Sequence, residues 1–104
     1  LRAAVRGVIV RDEVVRYVAE LVRATRQDMR FELGASPRAG VMLLRAAKAN
    51  AALEGRDFTT PDDVQEVHLP VLRHRVVLDP ATEVEGTTPD EALRANLASV
   101  TVPR

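Results

Sequence analysis

The sequence contains no cysteine, which excludes disulfides and thiolate metal sites and fits a reducing compartment. It also lacks a long hydrophobic run. The longest lies within Ala39–Leu44, far below the ~20 apolar residues that cross a bilayer, and no signal-peptide pattern is visible. Net charge is absent, fifteen basic residues balancing fifteen acidic ones, so the phosphate attraction that dominates nucleic-acid affinity has no overall source and no nucleic-acid partner is expected. Lys48 is the one lysine among the basic residues, an Ala/Arg/Val-rich, lysine-poor composition of the kind that GC-rich coding sequence gives, so no nucleic-acid patch is read from it. No GxxxxGK(S/T) phosphate loop, HExxH zinc site or GxSxG nucleophile elbow is present. His68 and His74 are isolated and read as core or surface histidines, not as a metal site. The chain therefore holds no complete active site.

What is present is enough for one domain. With 104 residues and 46% hydrophobic content, the chain can bury roughly 65% of its unfolded surface in a single core. Charge is unevenly spread: ten basic and five acidic residues fall in positions 1–50, leaving that half at +5 and the remainder at −5.

Leu1–Arg6 reads as the tail of a helix, ended by Gly7, and Val8-Ile9-Val10 as a short strand. From about Asp12 to Gln27 the apolar or small positions Val14, Tyr17, Val18, Leu21, Val22 and Thr25 recur with helical period, with Arg16, Glu20, Arg23 and Arg26 on the solvated side. Asp28–Gly34 reads as a loop. A second helix, from Pro37 to about Glu54, is apolar over much of its circumference and ends at Gly55. Asp57-Phe58-Thr59 is a second short strand and the natural partner of Val8–Val10. Thr60-Pro61-Asp62-Asp63 starts a third helix, so its two aspartates read as helix starters and not as catalytic acids. That helix carries Val64, Val67 and His68 and is expected to break at Pro70, with one further turn at Val71-Leu72. Val76–Leu78 reads as extended, Asp79-Pro80 and Glu85-Gly86 as turns, and Thr88-Pro89-Asp90-Glu91 as a capping box opening a last helix to about Ala98. The expected fold is mainly α: a small helical bundle with Tyr17, Val18, Leu21, Leu43, Leu44, Val64 and Val67 in one core and at most a minor short β pairing.

Gly34-Ala35-Ser36-Pro37-Arg38 stands out. Ser36 is a favourable N-cap and Pro37 suits the first helical position. Arg38 then falls in the first turn, where the helix dipole opposes a cation by roughly 0.3–1 kcal/mol. Two readings follow: a cap followed by a solvated arginine, or an anion site in which first-turn N–H groups and an arginine fork converge on a phosphate.

The order and spacing of four segments resemble the C-terminal lid of the MoxR family of AAA+ ATPases. They are Leu21–Arg26, Leu33–Ala39, Leu53–Val64 and Pro70–Arg75. The resemblance implies a lid bundle over residues 1–69, its first helix truncated at the N-terminus, with residues 70–104 as a C-terminal extension packed on it in the same domain. It assigns Arg38 the role of the second sensor, directed at the γ-phosphate of ATP, with Ser36 and Pro37 beside it at the nucleotide. ATP and Mg2+ would be bound by an AAA+ core elsewhere in the same chain. It further implies a cytoplasmic homo-oligomeric ring, typically a hexamer, with chaperone-like remodelling or assembly tasks and von Willebrand factor A domain partners. Relatives often carry Asp-Pro where this chain has Arg11-Asp12-Glu13, a departure confined to the start of that helix. The alternative is a histone-fold-like dimerisation module associated with DNA. A central segment that is short for a histone middle helix and the zero net charge both weigh against it.

Overall fold

A computed structural model describes residues 7–103; the helix tail expected over Leu1–Arg6 lies outside them. The elements in order are α1 (Asp12–Gln27), β1 (Phe31–Leu33), α2 (Pro37–Leu53), α3 (Pro61–Leu72), β2 (Val77–Leu78), α4 (Pro80–Val84) and α5 (Pro89–Ser99). The fold is a small, mainly α bundle, as the hydrophobic periodicity requires.

Helix starts follow from local chemistry. Ser36-Pro37, Thr60-Pro61, Asp79-Pro80 and Thr88-Pro89 each put a polar cap before a proline whose missing N–H costs nothing in the first turn. The Ser36 hydroxyl accepts from the Ala39 N–H at 3.3 Å, and the Thr88 hydroxyl from that of Glu91 at 3.2 Å. At α3 the direction is reversed, the Asp63 carboxylate accepting from the Thr60 N–H at 2.7 Å. Helix α1 has no side-chain cap but opens on Asp12 and Glu13, which suit the dipole. Helix α2 ends in a Schellman motif: Gly55 at φ 77° lets its own N–H reach the Ala52 carbonyl and that of Arg56 reach Ala51, at 3.0 and 2.9 Å.

The core lies between α1, α2, α3 and α5. Helix α1 buries Val14, Tyr17, Val18, Leu21, Val22 and Thr25. Helix α2 buries Ala39, Leu43, Ala47 and Ala51, a stripe at four-residue spacing whose small side chains admit α3 closely. A chain of buried polar groups ties three helices together: His68 Nε2 on α3 meets Asn96 Oδ1 on α5 at 2.8 Å, and Asn96 Nδ2 donates to the Leu21 carbonyl on α1 at 3.2 Å. Asp63, also buried, takes hydrogen bonds from Arg56, Asn50 and the Thr60 N–H. Burial alone would raise its pKa; these donors, Arg56 foremost, hold it instead at about 2. Asp63 is thus a structural carboxylate, in keeping with its reading as a helix starter.

The extended pairing of Val8–Val10 with Asp57–Thr59 is present as a single parallel bridge between Ile9 and Phe58. Two hydrogen bonds hold it, from the Ile9 N–H to the Asp57 carbonyl at 2.7 Å and from the Thr59 N–H to the Ile9 carbonyl at 2.9 Å. Four expectations need correction. The stretch expected to be a loop over Asp28–Gly34 contains β1, which pairs antiparallel with β2 through Phe31 opposite Leu78 and Leu33 opposite Val77; burial of Phe31 and Leu78 drives the pairing. Pro70 does not break α3. It forfeits one hydrogen bond near the exposed helix end, while the buried Leu72 holds the last turn down and the Arg73 N–H still reaches the Leu69 carbonyl at 2.9 Å. The segment between the turn signals at Asp79 and Gly86 is a short helix, α4, capped by Asp79. Leu44 and Val67 sit half-buried at the core's edge, not inside it, because four-residue spacing gives the inner line of α2 to Leu43.

Two predictions follow. Leu43→Ala is expected to cost ~2–5 kcal/mol and Leu44→Ala no more than ~1 kcal/mol, since only the first leaves an enclosed cavity; chemical denaturation of both variants measures the difference. Burial lowers the His68 pKa, with Asn96 opposing the shift. The unfolded chain therefore takes up that proton near pH 6.5 and the folded chain only at lower pH. The stability contributed by neutral His68 is complete above that pH and is lost as the solution is acidified below it. A His68→Gln variant is expected to be less stable at pH 7 but to show a flatter decline between pH 7 and 5, read as the thermal midpoint.

Candidate nucleotide-facing site

The segment from Gly34 to Arg38 is fixed against the end of α1 by two contacts. Gly34 lies so close to that helix that a Cβ there would sit 2.6 Å from the Cα and N of Arg26 and 2.7 Å from the carbonyl carbon of Thr25, all of them backbone atoms that cannot step aside. Next to it the buried Thr25 hydroxyl donates to the Val22 carbonyl at 2.6 Å and accepts from the Ala35 N–H at 2.8 Å. Ala35 is fully buried, so the chain passes from a sealed position directly into the Ser36 cap and the first turn of α2.

Arg38 emerges from this anchored start into solvent, with no ion pair or side-chain hydrogen bond among the described residues. Its surroundings are chemically distinctive. Helices α1, α3 and α5 each carry two acidic residues in the first turn, whereas the first turn of α2 carries none. The positive end of the α2 dipole and the guanidinium therefore reinforce one another, an arrangement that fits an anion and nothing cationic. Ser36 and Pro37 are exposed beside Arg38, and a surface cavity of about 430 Å³ opens before them, lined also by Arg26, Phe31, Glu32 and Leu33.

Two contributors escaped the sequence reading. Arg26, expected on a solvated face, lines this cavity because α2 returns antiparallel to α1 and brings Pro37 alongside it. Thr25 fits an apolar helical stripe, and nothing local reveals that its hydroxyl holds the next loop. The histidines form no site: His68 is a buried structural group and His74 is exposed. Among the described residues no group of three or more His, Asp or Glu is placed to hold a metal ion, and no helix is long and apolar enough to cross a membrane.

Comparison with known proteins gives a concordant result. Residues 23–96 match the AAA lid domain family. The chain is 37% identical over 103 residues to the uncharacterised protein YeaC of Bacillus subtilis, covering 99% of this chain and 32% of that protein. It is 35% identical over 100 residues to the chaperone MoxR1 of Mycobacterium tuberculosis, covering 88% of this chain and 26% of that protein. A solved structure from Cytophaga hutchinsonii, described as a candidate ATPase, superposes with a TM-score of 0.92 at 31% identity and covers 99% of this chain and 34% of its own. The chain thus spans about a third or less of the relatives it matches.

The anchoring contacts predict a stability cost at the join between α1 and α2. Gly34→Ala is expected to destabilise the fold by ~1–3 kcal/mol through overpacking against backbone. Thr25→Val, which strands the buried Ala35 N–H, should cost ~1–3 kcal/mol, and Thr25→Ser should restore most of it. Urea denaturation of the three variants checks the pair of contacts independently.

Proposed function

This chain is an AAA lid domain, and from that premise we propose that it closes over ATP held by a nucleotide-binding core elsewhere in the same protein, with Arg38 as the second sensor arginine. The observation that carries the reading is an exposed guanidinium, unpaired among the described residues, in the acid-free first turn of α2. ATP, bound with a magnesium ion by the core, would supply the transferable γ-phosphate. Arg38 contributes a planar fork of donors that can engage two phosphate oxygens at once, with Ser36 and Pro37 setting the helix start that aims it. The Gly34 and Thr25 contacts make that start rigid with the bundle, so a guanidinium engaged on phosphate ties the whole lid to the nucleotide state. By the same reading the complete protein is a cytoplasmic ATPase working as a homo-oligomeric ring, a hexamer in the usual case. Its lid movement would serve chaperone-like remodelling or assembly of partners such as von Willebrand factor A domain proteins. The matched family and the bundle geometry favour this over a histone-like dimer.

In the complete protein, Arg38→Ala is expected to lower ATP turnover at least about tenfold, since a hydrogen bond to a charged group contributes ~1.5–3 kcal/mol. Arg38→Lys should restore little, the charge being kept but the fork lost. Arg94→Ala, on the exposed side of α5, serves as control. Wild-type turnover in Arg38→Ala, or a loss that circular dichroism traces to an unfolded lid, would refute the assignment.

A further inference from the structure

Beside the nucleotide-facing end, α1 and α2 leave an open apolar groove of about 240 Å³ between them, lined by Val15, Val18, Ala19, Val22, Gly40 and Leu44, with Val41 and Pro37 along its other wall and Arg26 at one end. Val15 and Val41 are 43% and 52% exposed, more than their neighbours in the core would allow if this face were closed. The absence of a side chain at Gly40 deepens the floor: a Cβ there would meet Val22 Cγ2 at 3.3 Å. The rim is cationic. Arg23 lies one helical turn beyond Ala19, Arg26 one beyond Val22, Arg45 one beyond Val41 and Lys48 one beyond Leu44, and none of the four has an ion-pair partner among the described residues. Helix α2 contains no acidic residue at all. Of the acidic residues of α1, Glu13 and Glu20 line a different cavity, against Thr101 and Pro103, which leaves Asp12 alone near the far end of the groove. Four of the ten basic residues of the first fifty thus rim an uncovered apolar surface.

We propose that this groove docks an acidic amphipathic helix of a partner protein, its aliphatic side chains seated between α1 and α2 and its Asp and Glu residues meeting Arg23, Arg26, Arg45 and Lys48. From Val15 to Arg26 the groove runs about 16 Å at 1.5 Å per residue, which suits the i, i+3, i+4, i+7 anchors of two to three helical turns. A second copy of this chain fits poorly, because a symmetric contact would set these cations against one another. A bilayer is a poor match for a concave apolar strip, and a nucleic acid offers phosphates but no aliphatic anchors.

The test uses two fluorescent helical peptides with leucines at i, i+3, i+4 and i+7, one with glutamate and the other with lysine at the remaining positions, titrated with the 104-residue chain. The glutamate peptide is expected to bind, more weakly as salt is raised, and the lysine peptide not at all. Val41→Asp, at an exposed position that the fold tolerates, should abolish binding. The Arg23→Glu, Arg45→Glu pair should weaken it about tenfold or more, since it turns attractions into repulsions. Unchanged thermal midpoints show that both variants are folded. Equal binding of the two peptides, no binding up to millimolar concentration, or binding unaffected by either variant overturns the proposal. So does concentration-dependent dimerisation that Val41→Asp abolishes, or binding of duplex DNA or anionic vesicles that displaces the glutamate peptide.

Discussion

The start of α2 is held by a contact in which no side chain takes part: the backbone of Gly34 lies directly on the backbone of Thr25 and Arg26. Two main chains approach this closely only where a Cβ is missing, and the approach fixes where Ala35 is buried, where Ser36 caps and hence where Arg38 leaves the surface. The Thr25 hydroxyl completes the join by serving both sides at once, as donor to its own helix and acceptor from the incoming loop. Its bond to the Val22 carbonyl competes with the regular pattern near the end of α1, a small local cost that the sealed loop offsets.

The other end of α2 is secured electrostatically. Arg56, just past the Gly55 turn, donates to the carboxylate of Asp63 in the first turn of α3, while Asn50 reaches the same carboxylate from within α2. A buried charge of this kind costs desolvation that must be met by full hydrogen bonding, and here donors from a guanidinium, an amide and a backbone N–H all converge on it. The two ends of α2 therefore differ in kind: a neutral, sterically defined join precedes Arg38, and a charged, saturated one follows Leu53.

Much of this was legible in the sequence because the signals are local. Cap-proline pairs mark the starts of α2, α3 and α5, Gly55 marks the end of α2, and period 3.6 gives the buried face of α1. The misses share a nonlocal cause. Strand β1 exists only because Phe31 meets Leu78, far along the chain, and α3 runs through Pro70 only because Leu72 is drawn into a core built by other helices. Periodicity identified the right side of α2 but not the edge of its buried stripe, so Leu44 was placed inside with Leu43. At the candidate site, Arg38 was visible as a cation in an unfavourable place. Thr25 and Arg26 were not, and neither was the close backbone contact of Gly34, since these depend on α2 lying back along α1.

The bridge at Ile9 carries a mechanical implication. Val8 is buried and Ile9 is bonded on both its N–H and its carbonyl to the strand segment leading into α3, so the approach to α1 is stitched to the opposite side of the bundle before the first helix begins. That segment must travel with the bundle as part of one stiff body. Arg38, at the other end of α2 from that bridge, moves with it as one piece.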